Sequence, residues 1–263
     1  MSRSSYVVEA LPAEESAGAG RLAARFPATS RRAEIRALPG TRRSSPSYCV
    51  RAPLARWLAD RAAVLASDAA AAVLDFGCGD RRHESLFTAA GASYVGLDGP
   101  WNPAADLVGA PDAVPVPDAS FAVVVCTQTL EHLPDPAAAV RELHRVVQPG
   151  GCVLVSTHGT AVYHPNPTDY WRWTGPGLEK LFLDNADWSS ITVTPGQGTA
   201  ATTAMLAAYY IDLACKRLHV RPLAVPFVYS LNLAGEALDR ALPILRRPIP
   251  GSLTATFHIE ARR

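Results

Sequence analysis

Four short apolar runs stand out in the middle of the chain: "AVLDFG" (72–77), "SYVGLD" (93–98), "FAVVVCTQ" (121–128) and "CVLVSTHG" (152–159). They are mostly apolar at successive positions, of continuous Val/Leu type, the pattern of strands covered on both faces. Between them the apolar positions fall at helical spacing. In "APLARWLADRAAVLAS", Leu54, Trp57, Leu58, Ala62 and Leu65 share a face and Pro53 suits a first turn, which predicts a helix over about 52–66. "DPAAAVRELHRVVQPGG" predicts a second, with Asp135 as N-cap, Pro136 at the first position and Pro149-Gly150-Gly151 as its stop. Such strands alternating with helices form a parallel sheet with helices on both faces, and ligands sit at the carboxyl ends of its strands. The loops after Asp75, Asp98, Cys126 and Thr157 are therefore expected to ring one cleft.

Beyond residue 160 the pattern changes. An aromatic loop, "YHPNPTDYWRWTGPGLEKLF", ends in a helix start. A strand is expected over 189–197, mostly helical chain over about 200–245, and a final alternating strand over 253–262. Residues 1 to about 47 are rich in Ala, Arg, Ser, Gly and Pro without a period, as in a flexible extension. The expected organisation is that extension, then one α/β domain over 48–263 with a helical insertion at about 200–249.

Composition narrows the function classes. The 263 residues, 48% hydrophobic, suit one α/β domain with additions. Net charge is +1, so no bulk field collects nucleic acid, and no nucleic-acid partner is expected. The five cysteines form no CxxC pair, so neither a disulfide framework nor a metal site is signalled, and a cytoplasmic setting is the simplest. The N-terminus lacks an apolar signal core, and no run is long enough to cross a membrane. Two apolar stretches, from Ala200 and from Pro222, are expected to bury against the domain; peripheral membrane contact through 200–245 is the other reading.

The chemistry starts in "AAVLDFGCGDRRHESLF", where an apolar run ends in an acid and two glycines follow one residue apart. A dinucleotide fingerprint needs a third glycine, and that position holds Arg82. An acid at Asp75 also repels a pyrophosphate, whereas it suits the cationic methionine end of S-adenosylmethionine. Asp98, about twenty residues on at the end of the second strand, is placed to accept ribose hydroxyls.

Taken together, "VLDFGCG", "YVGLD", "VPVPDASFAVVVCTQTLEHLPDP" and "LHRVVQPGGCVLVSTHG" resemble the class I S-adenosylmethionine-dependent methyltransferases of the type 11 group over residues of about 70 to 160. The resemblance implies a Rossmann-like, seven-stranded, mostly parallel sheet whose last strand, 253–262, runs antiparallel beside 189–197. It implies S-adenosylmethionine as cofactor. Asp75, Gly77, Cys78 and Gly79 would then line its methionine end, Asp98 would hold the ribose, Leu97 and Gly99 would flank the adenosine, and Thr127 and Gln128 would lie beside the methionine moiety. Phe121 would be core. Two positions depart from the family pattern. Ala110 replaces an acid that bonds the adenine amine in many relatives, leaving Asp112 as the nearest carboxylate, and Arg81 replaces a third glycine.

Methyl transfer from a sulfonium needs alignment and, at the acceptor, a base for its proton. Glu131, His132, His158, His164 and Asp169 lie on loops at the cleft end, with His158, His164 and Asp169 expected to be catalytic. "YHPNPTDYWRW" resembles a run in one branch of these enzymes. Its Tyr163, Tyr170, Trp171 and Trp173 are expected to form a lid, and Arg172 to bind an acidic group on the acceptor. The expected activity is methyl transfer to a small-molecule acceptor, glycan- or lipid-linked in one version, at oxygen. The alternative is an inactive methyltransferase-like domain kept for binding or scaffolding.

Overall fold

The apolar runs assemble into one seven-stranded sheet in a computed structural model that describes residues 38, 40–65 and 71–263. The strands are β1 (Ala72–Phe76), β2 (Ser93–Asp98), β3 (Leu107–Val108), β4 (Phe121–Thr127), β5 (Val147–His158), β6 (Ser190–Pro195) and β7 (Thr256–Arg262), in the order β3-β2-β1-β4-β5-β7-β6. The first five pair in parallel. β7 is antiparallel to both β5 and β6, as expected for the last strand. The strand order reverses between β1 and β4, and that is where sheets of this kind open a crevice.

Among the described residues six α-helices accompany the sheet: α1 (Tyr48–Leu65), α2 (Glu84–Thr88), α3 (Pro136–Val146), α4 (Gly175–Leu183), α5 (Thr199–Arg217) and α6 (Ala224–Ala241). The unbroken apolar runs are explained by the two cores they serve. Leu74, Phe76, Val124, Val153 and Val155 pack with Leu143 and Phe182 on one face. Val73, Val123, Val125 and Leu154 pack with Leu58 and Phe87 on the other. Each of these valines and leucines contributes about 1.5–3 kcal/mol by its burial.

Three local expectations change. α1 starts at Tyr48, four residues earlier than predicted, and Pro53 lies inside it. The extra turn forms because Tyr48, Cys49 and Ala52 bury against Ala201 and Met205 of α5, contacts that helical spacing alone does not reveal. α3 stops at Val146 rather than at the glycines. Val147 leaves the helix to pair with Phe121, and the Arg263 guanidinium takes up the carbonyls of His144, Arg145 and Val147. β3 has two residues and no apolar run to announce it. Of the extension expected over 1–47, residues 1–37 and 39 lie outside the described residues. Residues 43 and 45 are tied to α6, whose Asn232 donates to both of their carbonyls. No described helix is long and apolar enough to cross a membrane.

Candidate active site

The loop after β1 is shaped by left-handed backbone. Gly77 has φ +77° and Gly79 φ +52°, conformations that favour glycine. The N–H groups of Gly77 and Cys78 both donate to the Leu97 carbonyl, at 2.9 and 3.0 Å, which folds the loop over the end of β2. A Cβ at Gly77 would meet the Thr129 side chain at 2.6 Å, so the loop also rests on the chain leaving β4. Above Gly79 a Cβ would meet nothing within 4 Å. One face of the loop is therefore packed and the other open.

Asp98 stands at the edge of that open face. Its carboxylate accepts from the N–H of Gly79 at 3.0 Å, the N–H of Gly99 at 2.8 Å and the Asn102 amide at 2.7 Å. The Trp101 ring lies over Gly99 and is 80% exposed. Asp75 sits behind the loop, 2% exposed, and its Oδ2 accepts from the Tyr94 hydroxyl at 2.6 Å. Its Oδ1 is buried without a partner. Burial pushes this carboxyl up to about 7. Cys78 is buried, with its thiol pushed up to about 12 by burial and by the carboxylates of Asp75 and Asp98. It packs on Gly96, where a Cβ would meet its Sγ at 2.9 Å.

Arg81, at the third-glycine position, itself adopts φ +54°. It donates to Glu84 at 3.0 and 2.9 Å and pairs with Asp106, which also accepts from the Gly96 N–H at 2.8 Å. Those bonds hold the guanidinium firmly charged. Arg81 thus braces the loop. Gln128 is also left-handed, with φ +53°, and bonds Ser156 through both its N–H and its side-chain amide at 2.7 Å. Thr127 ends β4 and its carbonyl accepts from the Thr129 hydroxyl at 3.1 Å. Asp112 is exposed in the Ala110–Ala113 turn.

On the other side of the cleft end, the Glu131 carboxyl is fully buried, accepts from the Thr157 hydroxyl at 2.8 Å, and is pushed up to about 7 by burial. Its Oε1 lies 3.4 Å from His158 Nε2. His158 Nδ1 is buried without a partner. Burial, then the nearby Arg172 charge, pushes this imidazole down to about 3, so it is neutral at physiological pH. The His164 ring stands edge-on to His158 with centroids 5.5 Å apart, and tilted against His132 at 5.0 Å. The His132 Nδ1–H donates to the Thr168 carbonyl at 2.9 Å.

The expected role of Arg172 changes. All five of its N–H donors are spent, on both Asp169 oxygens at 2.5 Å and on the carbonyls of Ala161, Val162 and Trp171. It locks the aromatic loop and has no donor left for an acceptor. Asp169 is held down at about 2 by those bonds, and its Oδ2 also accepts from the His164 N–H at 3.2 Å. His158, His164 and Asp169 each bring a potential ligand atom within 4.8 Å of the others. The Arg172 guanidinium already neutralises the one carboxylate of that group. Of the four aromatics expected in a lid, Trp173 packs on the main core instead, with Trp171 stacked on it at 5.5 Å. Tyr163 and Tyr170 are exposed.

Sequence reasoning passed over Tyr94, Asn102 and Thr129. Tyr94 becomes visible once the β1–β2 register is known, because it lies two residues before Gly96, the partner of Asp75. Asn102 and Thr129 carry no signal of their own, since both act through loop geometry.

The family model for the methyltransferase domain matches residues 50–188, more than half of the chain. The ubiquinone biosynthesis O-methyltransferase of Pseudomonas paraeruginosa is 34% identical over 117 residues, covering 38% of this chain and 48% of that protein. A Mycolicibacterium smegmatis protein named "Probable S-adenosylmethionine-dependent methyltransferase" is 37% identical over 103 residues, 35% of this chain and 40% of its own length. The chain thus spans about half the length of the curated relatives it matches, or less. Among solved structures, Haemonchus contortus phosphoethanolamine N-methyltransferase 2 in complex with S-adenosyl-L-methionine aligns with 73% of this chain and 48% of its own, at 14% identity and a TM-score of 0.47. With the family model covering the glycine loop and the parallel strands β1 to β5, the chain belongs to the class I S-adenosylmethionine-dependent methyltransferases.

Proposed function

We propose that this chain binds S-adenosylmethionine over the Gly77–Gly79 loop and methylates a small-molecule acceptor at a hydroxyl oxygen. The observation that carries this is the two-sided loop: packed on Thr129 below, open above Gly79, with Asp98 fixed at its rim. The residues present fit the cofactor. Asp98 has lone pairs beyond its three bonds for ribose hydroxyls, and the unpartnered Oδ1 of Asp75 gives a positive group a buried carboxylate to pair with. Bound there, S-adenosylmethionine supplies an electrophilic methyl group.

The chain's own residues supply position and proton transfer. His158, held neutral by burial, takes the acceptor hydroxyl's proton, and the Glu131 carboxyl, 3.4 Å from Nε2, offsets the burial that otherwise disfavours the imidazolium. His164 borders that point, and Asp169 with Arg172 holds the His164 backbone in place. The oxygen assignment is supported by the name of the Pseudomonas paraeruginosa relative, an O-methyltransferase. The free thiols, four of the five buried, suit a reducing, cytoplasmic setting. The test is transfer of labelled methyl to a panel of phenols, hydroxylated sugars and amines, with the product located by mass spectrometry. Methylation at a hydroxyl, with kcat reduced at least 100-fold in His158→Ala and cofactor Kd unchanged, is expected. Methylation of amines alone, or an unchanged kcat, overturns the assignment.

A further inference from the structure

Helix α6 is built inside out. Its inward stripe is Ala224, Val228, Asn232, Gly235 and Asp239, mostly small or polar. Asn232 binds the carbonyls of Arg43 and Ser45, and Asp239 caps the start of α5 through the N–H groups of Gly198, Ala200 and Ala201. Glu236 takes Arg43 and the Tyr48 hydroxyl. The helix is thus held to the domain by polar bonds, with Gly235 fitting closely on Ala201 and Ala204.

Its large apolar residues point the other way. Val225, Phe227, Tyr229, Leu233 and Leu238 are 45–61% exposed, and Leu242, Ile244 and Ile249 continue the surface past the helix end. A helix packed only for this fold would reverse that arrangement. Large apolar residues exposed together on one helix and the chain that follows it mark a partner or a membrane.

Charge decides between them. The stretch 210–251 holds six cations and three acids in a chain whose overall balance is +1. Asp212 is paired with Arg221, Glu236 with Arg43 and Arg240, and Asp239 is buried at its cap. Lys216 and Arg217 at one end of the α5–α6 hairpin, and Arg246 and Arg247 at the other, are exposed and have no ion-pair partner among the described residues. A groove of about 660 Å³ beside the start of α6, lined in part by Arg42, Ser44, Ser45, Asp212 and Arg221, adds polar groups at the edge of the apolar face. A second copy would set these cations against each other. An anionic bilayer satisfies both the apolar face and its rim.

We infer that the outer face of α6 docks this protein on an anionic membrane surface, apolar side chains in the interface and the four cations among the headgroups. This does not depend on the acceptor. The experiment is flotation of the full chain with phosphatidylglycerol–phosphatidylcholine vesicles and with pure phosphatidylcholine vesicles. Binding to the anionic vesicles alone is expected. Removing Arg246 and Arg247 together (R246Q, R247Q) should weaken it roughly 30-fold, at about fivefold per cation, and Phe227→Ser with Leu233→Ser should abolish it. Both pairs are exposed, and S-adenosylmethionine binding measured on the same preparations reports intact folding separately. No flotation, flotation that neither pair alters, or a concentration-dependent dimer in its place, overturns the inference.

Discussion

Gly77 and Gly79 look alike in sequence, and the structure predicts that they fail differently. Gly77→Ala places a Cβ 2.6 Å from Thr129 Cγ2 and Oγ1 at φ +77°. The left-handed backbone costs about 1–2 kcal/mol for an alanine, and a contact that short in a packed site adds about 1–3 kcal/mol. The total, about 2–5 kcal/mol, is a large share of the 5–15 kcal/mol of a typical domain. Gly79→Ala meets no atom within 4 Å, so only the backbone contribution, about 1–2 kcal/mol, applies. Its Cβ projects into the open face instead, and cofactor affinity should fall at least tenfold. Urea unfolding of both variants, with Thr129→Ala as the second arm of a double-mutant cycle, separates the contributions. Thr129→Ala should recover about 1–3 kcal/mol of the Gly77→Ala loss and none of the Gly79→Ala loss. Equal losses at the two glycines, or no recovery, would refute the packed-below, open-above description of the loop.

Other expectations follow from the same geometry. Asp75 is raised in the folded chain to about 7 from an unfolded value of about 4, so the stability it contributes is fully present below pH 4 and lost as pH rises through 7. Asp75→Asn should therefore gain in Tm relative to the wild type as pH rises from 5 to 8, by thermal unfolding. Cofactor affinity should run the opposite way, because a cation beside Asp75 favours its ionised form: Kd falls from pH 6 to 8 in the wild type and stays flat in Asp75→Asn. Arg172→Ala releases five hydrogen bonds and leaves the covered Asp169 carboxylate unpaired. Cleavage within 160–174 in limited proteolysis should rise at least tenfold, and an unchanged pattern would count against the locked loop.

The centre of the sheet was legible because β1, β4 and most of β5 are buried on both faces. "FAVVVCTQ" and "CVLVSTHG" have no alternation to misread, and their ends place Thr127 and His158 at the cleft without further information. Asp75, Gly77, Gly79 and Asp98 were legible because strand ends and positive φ demand particular residue types. Less was visible where partners are distant in sequence. Nothing near Gly198 announces that Asp239 caps α5, and nothing near Val146 announces Arg263 at the end of α3. Arg172 carries the type and place of an acceptor ligand, and only the loop's folded carbonyls show that its donors are used up. The outward apolar face of α6 was only half visible, since "PFVYSLNLAG" reads as core or as membrane contact until Asn232 and Asp239 are seen facing inward.

The most direct test of the central claim is calorimetric titration of the chain with S-adenosylmethionine and S-adenosylhomocysteine, repeated with Asp98→Ala. Micromolar binding of both ligands, weakened at least tenfold by the substitution, is predicted, because Asp98 holds the loop at Gly79 and, in the proposed placement, faces the ribose. No binding at millimolar ligand, or binding indifferent to Asp98, would contradict the placement of the cofactor over this loop.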